Sequence, residues 1–225
     1  MIVDERLTIF IDSLNWQLPE YLKEVERRAL YQEVPIVRRS MQSLLAFLMR
    51  ERQPQKLLEI GTAVGFSGML LCEYAGQGAR LDTIEKVPQR IRAAKENFAR
   101  YQKEGQITLW EGDAAGILEQ MAAEKRQYDF IFMDAAKGQY LHFLPFILSL
   151  LKPQGMLVTD NVLQEGDIIQ SRYAITKRDR TIHKRMREYL YTLTHSEGLN
   201  TVILPVGDGV TLTTKYESGS VFHST

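Results

Sequence analysis

The chain has 225 residues, of which 44% are apolar and 25% are charged, so it is long and apolar enough to bury a hydrophobic core. Lys and Arg number 28, as do Asp and Glu; this balance excludes a disordered polyelectrolyte and argues against nucleic-acid binding through overall charge. The single cysteine, Cys72, excludes a disulfide framework and a cysteine-based zinc site. Neither a signal-peptide pattern nor a membrane-length apolar run is found, so the sequence predicts a cytoplasmic protein.

The first 53 residues are predicted to form a helical section. From about Arg6 to Arg50 apolar residues recur at helical spacing, and Pro19 and Pro35 are placed as helix starts. The sequence predicts a single domain in which this section (1–53) precedes a Rossmann-like core (54–216) and a tail rich in Ser and Gly (217–225).

After Pro54, short apolar runs alternate with longer amphipathic ones, which is the pattern of repeated βαβ units. Strands are predicted at 56–60, 80–85, 107–112, 128–134 and 155–160, and helices at 66–75, 88–102, 114–123, 140–151 and 179–195. Two β-rich runs follow, separated by the turn Gly207-Asp208-Gly209. The predicted fold class is α/β, a Rossmann-like doubly wound seven-stranded sheet that ends in an antiparallel hairpin.

Three successive strands end in residues suited to a nucleoside cofactor. Glu59 opens a glycine-rich turn that runs from Gly61 to Ser67, where glycines allow close approach of a ligand. Glu85 ends the second strand, at a position suited to binding ribose hydroxyls, and Asp113-Ala114 follows the third. Tight packing alone would also explain the glycines. A leading glutamate favours a cofactor with a cationic amino-acid end, which points to S-adenosylmethionine.

Oxygen ligands follow the next two strands. Asp134 ends the fourth strand and Asp160-Asn161 ends the fifth, so their side chains are expected to meet at one edge of the sheet. Two carboxylates and an amide suit Mg²⁺, or Mn²⁺ or Ca²⁺, rather than Zn²⁺. The alternative is that these residues only cap helices. Lys137 lies three residues after Asp134, close enough to take up a proton in the same pocket, although a loop lysine is usually solvated.

These motifs together resemble the cation-dependent O-methyltransferases, the family of catechol and caffeoyl-CoA O-methyltransferases. The resemblance runs from about Val34 to Tyr216 and includes the closing segment Leu204–Gly209. It implies a homodimer, a base at Lys137 and a metal held by Asp134, Asp160 and Asn161. It also implies that the cofactor is held by Val37, Glu59, Gly61, Ser67, Glu85, Asp113, Ala114 and Asp134.

Within that family the chain looks most like the bacterial members that methylate 5-hydroxyuridine at the wobble position of tRNA. The segment 172–187 carries seven basic residues and one acidic residue, a net charge of +6, directly after the predicted metal loop. Phosphate contacts in the tRNA anticodon loop are therefore predicted for Arg38, Arg39, Arg172, Lys177, Arg178 and Arg180. A solvated helix face is the simpler alternative for this segment.

The sequence leaves two other functions open. Small-molecule members of the family tend to carry Arg-x-Phe-Asn in the corresponding helix, whereas this chain has Arg187-Glu188-Tyr189-Leu190, which disfavours a catechol-ester or CoA-ester substrate. A small catechol-like phenol nevertheless remains an alternative, because the metal site accepts any pair of vicinal oxygens. A non-catalytic protein that binds the cofactor and RNA is a further alternative, although it would leave the metal residues and Lys137 without a role.

Overall fold

The computed structural model of the chain describes residues 4–171 and 173–216. Three helices come first, α1 (Glu5–Leu14), α2 (Glu20–Tyr31) and α3 (Arg39–Arg52). Strands and helices then alternate as β1 (Lys56–Ile60), α4 (Phe66–Tyr74), β2 (Arg80–Glu85), α5 (Pro88–Arg100), β3 (Ile107–Glu111), α6 (Ala114–Ala123), β4 (Tyr128–Met133), α7 (Tyr140–Leu150), β5 (Leu151–Thr159), α8 (Arg180–His195), β6 (Leu199–Leu204) and β7 (Val210–Lys215). The predicted tail and Arg172 lie outside the described residues.

The helical N-terminal section differs from the prediction at Pro35. Pro19 immediately precedes α2, as expected, but α3 starts at Arg39 rather than near Pro35. Val34–Arg38 is a non-helical connection, in which the Gln42 side chain donates a hydrogen bond to the Val37 carbonyl at 2.9 Å. That bond holds Val37 in place, buried, before the helix begins.

The seven described strands form one mixed sheet in the order β3-β2-β1-β4-β5-β7-β6. The first five pair in parallel, whereas β7 is antiparallel to both β5 and β6, which confirms the predicted doubly wound sheet with a C-terminal hairpin. Strand β5 is longer than predicted because Leu151 already pairs with Tyr128, ahead of a register shift.

The central strands are buried on both faces, which explains their continuous apolar sequences. In β1, Leu57 packs into a core formed with α2 to α5, and its neighbour Leu58 packs into a second core formed with α6 to α8. The pleat of β4 repeats this alternation, with Phe130 on the first side and Ile131 on the second. The two layers of helices leave the carboxyl edge of the parallel strands open.

The turn of the C-terminal hairpin is fixed against the loop that follows β5. Backbone N–H groups of Val162 and Leu163 donate to the carbonyls of Gly209 and Asp208, at 3.0 and 2.9 Å. The hairpin therefore brings residues from the end of the chain to the edge where the parallel strands finish. Within the described ranges, no helix has both the length and the apolar character needed to cross a membrane.

Candidate active site

A cavity of about 530 Å³ opens at the carboxyl edge of the parallel strands. Its lining includes most of the predicted cofactor and metal residues, namely Val37, Gly61, Ser67, Glu85, Asp113, Ala114, Asp134, Asp160 and Asn161. Glu59 and Lys137 are predicted site residues that do not line it. The strands thus bring together residues that are far apart in the sequence, as expected of ligand sites in open α/β sheets.

The glycine turn after β1 requires glycine at both ends. Gly61 has a φ of +106°, and a Cβ there would overlap the carbonyl oxygen of Asp134. Gly65 has a φ of +84° and precedes the first residue of α4, where a Cβ would strike the ring of Phe98. Because glycine has no side chain, the backbone here can pass close to β4 and to a ligand, and neither position accepts a larger residue without strain.

Glu85 is held rigidly at the cavity wall. Its Oε2 accepts a hydrogen bond from the Ala63 N–H at 2.9 Å, and its Oε1 accepts from the N–H groups of Lys86 and Val87 at 2.9 and 3.0 Å. Each carboxylate oxygen can accept more than one hydrogen bond, so both remain able to bind hydroxyl groups. The fixed orientation fits the ribose role predicted for this residue.

Asp113, which the sequence predicts to bind the cofactor, also has a structural role. Its Oδ1 accepts a hydrogen bond from the Ala115 N–H at 3.0 Å and so caps the N-terminus of α6. Its Oδ2 lies 3.5 Å from the exposed Lys86 ammonium. Asp113 therefore caps a helix and lines the cavity at the same time.

Glu59 is completely buried beneath the cavity rather than on its wall. The Thr83 hydroxyl donates to its Oε2 at 2.6 Å, whereas Oε1 has no hydrogen-bond partner within the described residues. Burial, together with the charges of Asp134 and Glu85, raises the pKa of Glu59 to about 7. A buried carboxylate with an unused oxygen fits a nearby cationic group, such as the amino-acid end of S-adenosylmethionine.

The three predicted metal ligands meet at the ends of β4 and β5. Asp134 Oδ1 accepts from the Asn161 amide nitrogen at 3.1 Å, and Asp160 Oδ1 accepts from the Asn161 backbone N–H at 2.7 Å. Burial raises the pKa of Asp134, and burial with the adjacent Asp134 charge raises the pKa of Asp160 to about 7. A bound cation would relieve this repulsion.

The donor set defines the kind of cation that fits. Across 4–171 and 173–216, no three His, Cys, Asp or Glu side chains cluster in a metal-binding arrangement, because here the third ligand is an amide. Two carboxylates and an amide oxygen are hard donors, which suit Mg²⁺, Mn²⁺ or Ca²⁺. The residues present therefore fit the predicted divalent cation.

Lys137 lies at the start of a short 3₁₀ helix (Lys137–Gln139), and its Nζ is 3.0 Å from Asp208 Oδ2. Asp208 is buried and comes from the hairpin turn. Sequence reasoning missed Asp208 because the Gly-Asp-Gly segment was interpreted only as a turn. The signal that could have revealed it is its place in the closing segment that supports the family resemblance.

The basic residues predicted to bind RNA differ in exposure and in the contacts that they make. Lys177 and Arg178 are exposed. Arg180, by contrast, donates to the Ile175 carbonyl at 3.2 Å, and Arg39 lies 3.6 Å from the Glu26 carboxylate. Arg38 lines the cavity, and Arg172 is not among the described residues. Among the described cations of the segment 172–187, only Arg180 is half-buried, so most of its positive charge is available to a ligand.

Comparison with known proteins identifies the class to which this fold and site belong. The family model described as O-methyltransferase matches residues 12–216, and the chain therefore belongs to the O-methyltransferase family. It is 30% identical over 185 residues to the O-methyltransferase ankF of Aspergillus thermomutatus, a match that covers 75% of this chain and 74% of that protein. It is 31% identical over 126 residues to a catechol O-methyltransferase of Niastella koreensis, covering 56% and 57% of the two chains.

Solved structures agree with this assignment. A candidate caffeoyl-CoA O-methyltransferase from Staphylococcus aureus superposes with a TM-score of 0.84 at 32% identity, over 94% of this chain and all of that one. A methyltransferase from Podospora anserina bound to SAH superposes with a TM-score of 0.82 at 25% identity, over 95% of both chains. The α/β sheet with its antiparallel C-terminal strands is therefore the fold of this family.

Proposed function

We propose that this protein transfers a methyl group from S-adenosylmethionine to the 5-hydroxyl of 5-hydroxyuridine at the wobble position of tRNA, with a divalent cation. The choice of tRNA as the substrate rests on a pair of exposed cations, Lys177 and Arg178, in the segment that follows the predicted metal loop. A neutral chain with exposed positive charge on that segment is suited to a polyanionic substrate.

The cofactor assignment rests on the cavity and its neighbours. Its wall carries a fixed carboxylate at Glu85 and a glycine turn at Gly61, and Glu59 beneath it has an unpaired oxygen. Structural relatives are described with SAH bound, as in the Podospora anserina methyltransferase. In this proposal these residues would hold S-adenosylmethionine in the cavity that Asp134 also lines, which would bring the cofactor beside the predicted metal ligands.

Asp134, Asp160 and Asn161 would hold the cation, whose chemistry is to acidify and orient a hydroxyl that has a second oxygen beside it. The 5-hydroxyl and 4-carbonyl of 5-hydroxyuracil form such a pair. As a neutral amine, Lys137 Nζ would take up the hydroxyl proton and become an ammonium, which Asp208 Oδ2, 3.0 Å away, would pair with. Positioning both reactants in one cavity removes most of the entropic cost of their encounter.

A small catechol-like phenol is the second candidate substrate. The relatives described as catechol O-methyltransferases, from Niastella koreensis and from Mycobacterium tuberculosis, support it. A catechol presents the same pair of vicinal oxygens, so the metal residues do not favour one substrate over the other. The two proposals differ in whether the exposed cations near α8 contribute to substrate binding.

Methyl transfer from labelled S-adenosylmethionine, with Mg²⁺ present, separates the candidates. The acceptors are an anticodon stem-loop RNA carrying 5-hydroxyuridine, the same RNA with uridine, and a panel of catechols. We expect transfer to the hydroxylated RNA only. Transfer to catechols alone would overturn the RNA proposal, whereas cofactor binding without transfer to any acceptor would support the non-catalytic alternative.

Removal of the cation tests the metal assignment. We expect EDTA to abolish turnover and Mg²⁺ to restore it, and Asp160→Ala to abolish turnover at every Mg²⁺ concentration while cofactor binding, measured calorimetrically, is largely retained. Asp129→Ala is the matched control, because Asp129 pairs with Lys152 away from the cavity. Full activity in EDTA would contradict a catalytic cation.

A further inference from the structure

The loop between the metal ligands and α8 presents two large apolar side chains to solvent. Ile169 is 82% exposed and Tyr173 is 87% exposed, whereas Ile168 and Ile175, within the same loop, are buried. A loop with two buried anchors has no need for exposed apolar residues between them to remain folded. Two such side chains so close together indicate a contact surface.

This loop is held in place by arginines of α8. Arg187 donates to the Ile168 carbonyl at 3.1 Å, and Arg180 donates to the Ile175 carbonyl at 3.2 Å. Tyr173 lies between these two attachments. Its exposed ring is therefore presented from a segment that is fixed on both sides.

The same helix ties the loop to the catalytic lysine. Arg185 donates to the Gly138 carbonyl at 3.0 Å, and Ile182 packs beside Gly138, which directly follows Lys137. The first turn of α8 thus contacts both the loop that carries Tyr173 and the short 3₁₀ helix that carries Lys137.

Positive charge follows this aromatic residue closely in the sequence. Lys177 and Arg178 follow Tyr173 by four and five residues, and both are exposed, as is Lys184 on α8. Single-stranded nucleic acid is bound by this combination of cations for the phosphates and an exposed aromatic ring for a base. A small phenol would use the ring but would gain little from three cations.

We propose that Tyr173 is the platform on which a base next to the methylated nucleotide stacks, while Lys177 and Arg178 contact the adjoining phosphates. This inference rests on the proposed RNA substrate and adds to it the residues that recognise unpaired RNA. Stacking holds the neighbouring base outside and leaves the target base free to enter the cavity. Tyr173 is a substrate-positioning residue and takes no part in methyl transfer.

Binding and turnover of the hydroxyuridine stem-loop by the full chain test the proposal. Tyr173→Ala should weaken binding about 10-fold, measured by fluorescence anisotropy, and lower kcat/KM in proportion with kcat nearly unchanged. Tyr173→Trp keeps an aromatic face and should restore binding. Neither variant should change the slope of log Kd against log salt, whereas Lys177→Gln with Arg178→Gln should flatten that slope by about one to two.

Tyr191→Ala is the matched control. Tyr191 is a 64%-exposed tyrosine of α8, and its ring is already stacked on His195. It lies eleven residues beyond Arg180, about 16 Å along the helix, and its loss should leave RNA binding unchanged. Equal binding by wild type and Tyr173→Ala, or a Trp variant as weak as the Ala variant, would overturn the inference. Wild type that methylates no RNA would instead overturn the proposed function, and the inference with it.

Discussion

Lys137 and Asp208 are 71 residues apart in the sequence and form an ion pair at 3.0 Å in the structure. The lysine was predictable from its spacing after Asp134. The closing segment could have marked Asp208 as a candidate, but nothing local shows that a residue in this hairpin turn contacts the loop after β4. The pair shows where residue-level prediction ends: the chemistry of a side chain can be inferred from its own motif, but its partner depends on the tertiary fold.

Asp208→Asn keeps the size of the side chain and removes its charge. We expect kcat to fall about 10- to 100-fold, because Lys137 Nζ loses the carboxylate that positions it and that pairs with the ammonium formed on proton uptake. Affinity for S-adenosylmethionine should stay unchanged, because Asp208 is not among the residues that line the cavity. Asp129→Asn, which breaks a comparable pair with Lys152 outside the site, is the control for the steady-state assay. Unchanged kcat would show that Lys137 acts without Asp208.

Gly61→Ala tests the close contact between the cofactor turn and β4. The added methyl group meets the Asp134 carbonyl at a φ that disfavours alanine, so we expect a loss of about 2 kcal/mol or more in the free energy of unfolding, together with loss of cofactor binding. Gly116→Ala is a suitable control, because it lies inside α6 with open space around its Cα and should be neutral or slightly stabilising. Denaturant unfolding measures the free energy of unfolding, and calorimetry measures cofactor binding.

At the scale of elements, apolar periodicity predicted nearly every strand and helix of the core. Strands β1 and β2 have the predicted bounds, because a strand buried on both faces carries a continuous apolar run that turns interrupt. The predicted start of α3 was wrong by about four residues, because the Gln42 amide bonds both the Val37 carbonyl and the Glu26 carboxylate of α2, and helix propensity does not encode that contact between elements.

The arginines of α8 show a different limit of sequence reasoning. A count of charges treats all seven basic residues between 172 and 187 alike, yet Arg180, Arg185 and Arg187 each donate a hydrogen bond to a loop carbonyl. A guanidinium group can hold a loop carbonyl and still bind an anion, since it offers several N–H donors. Only the structure shows which cations of the segment also hold a loop in place.

Helix α1 has no buried residue although half of it is apolar, with Ile9, Phe10 and Leu14 all exposed. We propose that two copies of the chain pair through this helix; the family resemblance predicts a homodimer but does not say which surface forms it. Sedimentation equilibrium should give a dimer for the wild type and a monomer for Phe10→Asp with Leu14→Asp, because a buried carboxylate opposes association. Ile169→Asp, at a more exposed position in the loop after β5, should remain dimeric; a monomeric wild type would contradict the proposal.

At the scale of the whole molecule, the net charge of zero hides an uneven distribution. The segment 172–187 carries +6, so the remaining chain carries −6. Total charge therefore describes the average surface but says little about the ligand, which meets only one part of it. The position of charge relative to the cavity is the informative quantity.

Glu59 makes the stability of the cofactor-free protein depend on pH. Its pKa rises from 4.5 to about 7 on folding, so the folded state retains a proton that the unfolded chain releases between these values. Stability from this group is therefore full below about pH 4.5 and declines as pH rises toward 7. Glu59→Gln should exceed the wild type by on the order of 2 kcal/mol at pH 8 and by much less at pH 5.

Urea unfolding of both proteins at the two pH values measures this difference. Asp160 titrates in the same range, so the comparison of variant with wild type, rather than the wild-type curve alone, isolates Glu59. Glu119→Gln, an exposed position on α6, should show no such dependence. An equal gain for Glu59→Gln at pH 5 and pH 8 would show that Glu59 is ionised in the folded protein at both values.

The hairpin that carries Asp208 is the last part of the sheet to be synthesised. A nascent chain that has emerged only as far as α8 already contains every residue that lines the cavity, but it lacks the partner of Lys137 and the carbonyls that hold the loop after β5. Because β7 also pairs with β5, the strand that ends beside Asp160 and Asn161, the last strand made supports residues that line the cavity. The site is therefore complete only after the end of the sheet has been synthesised.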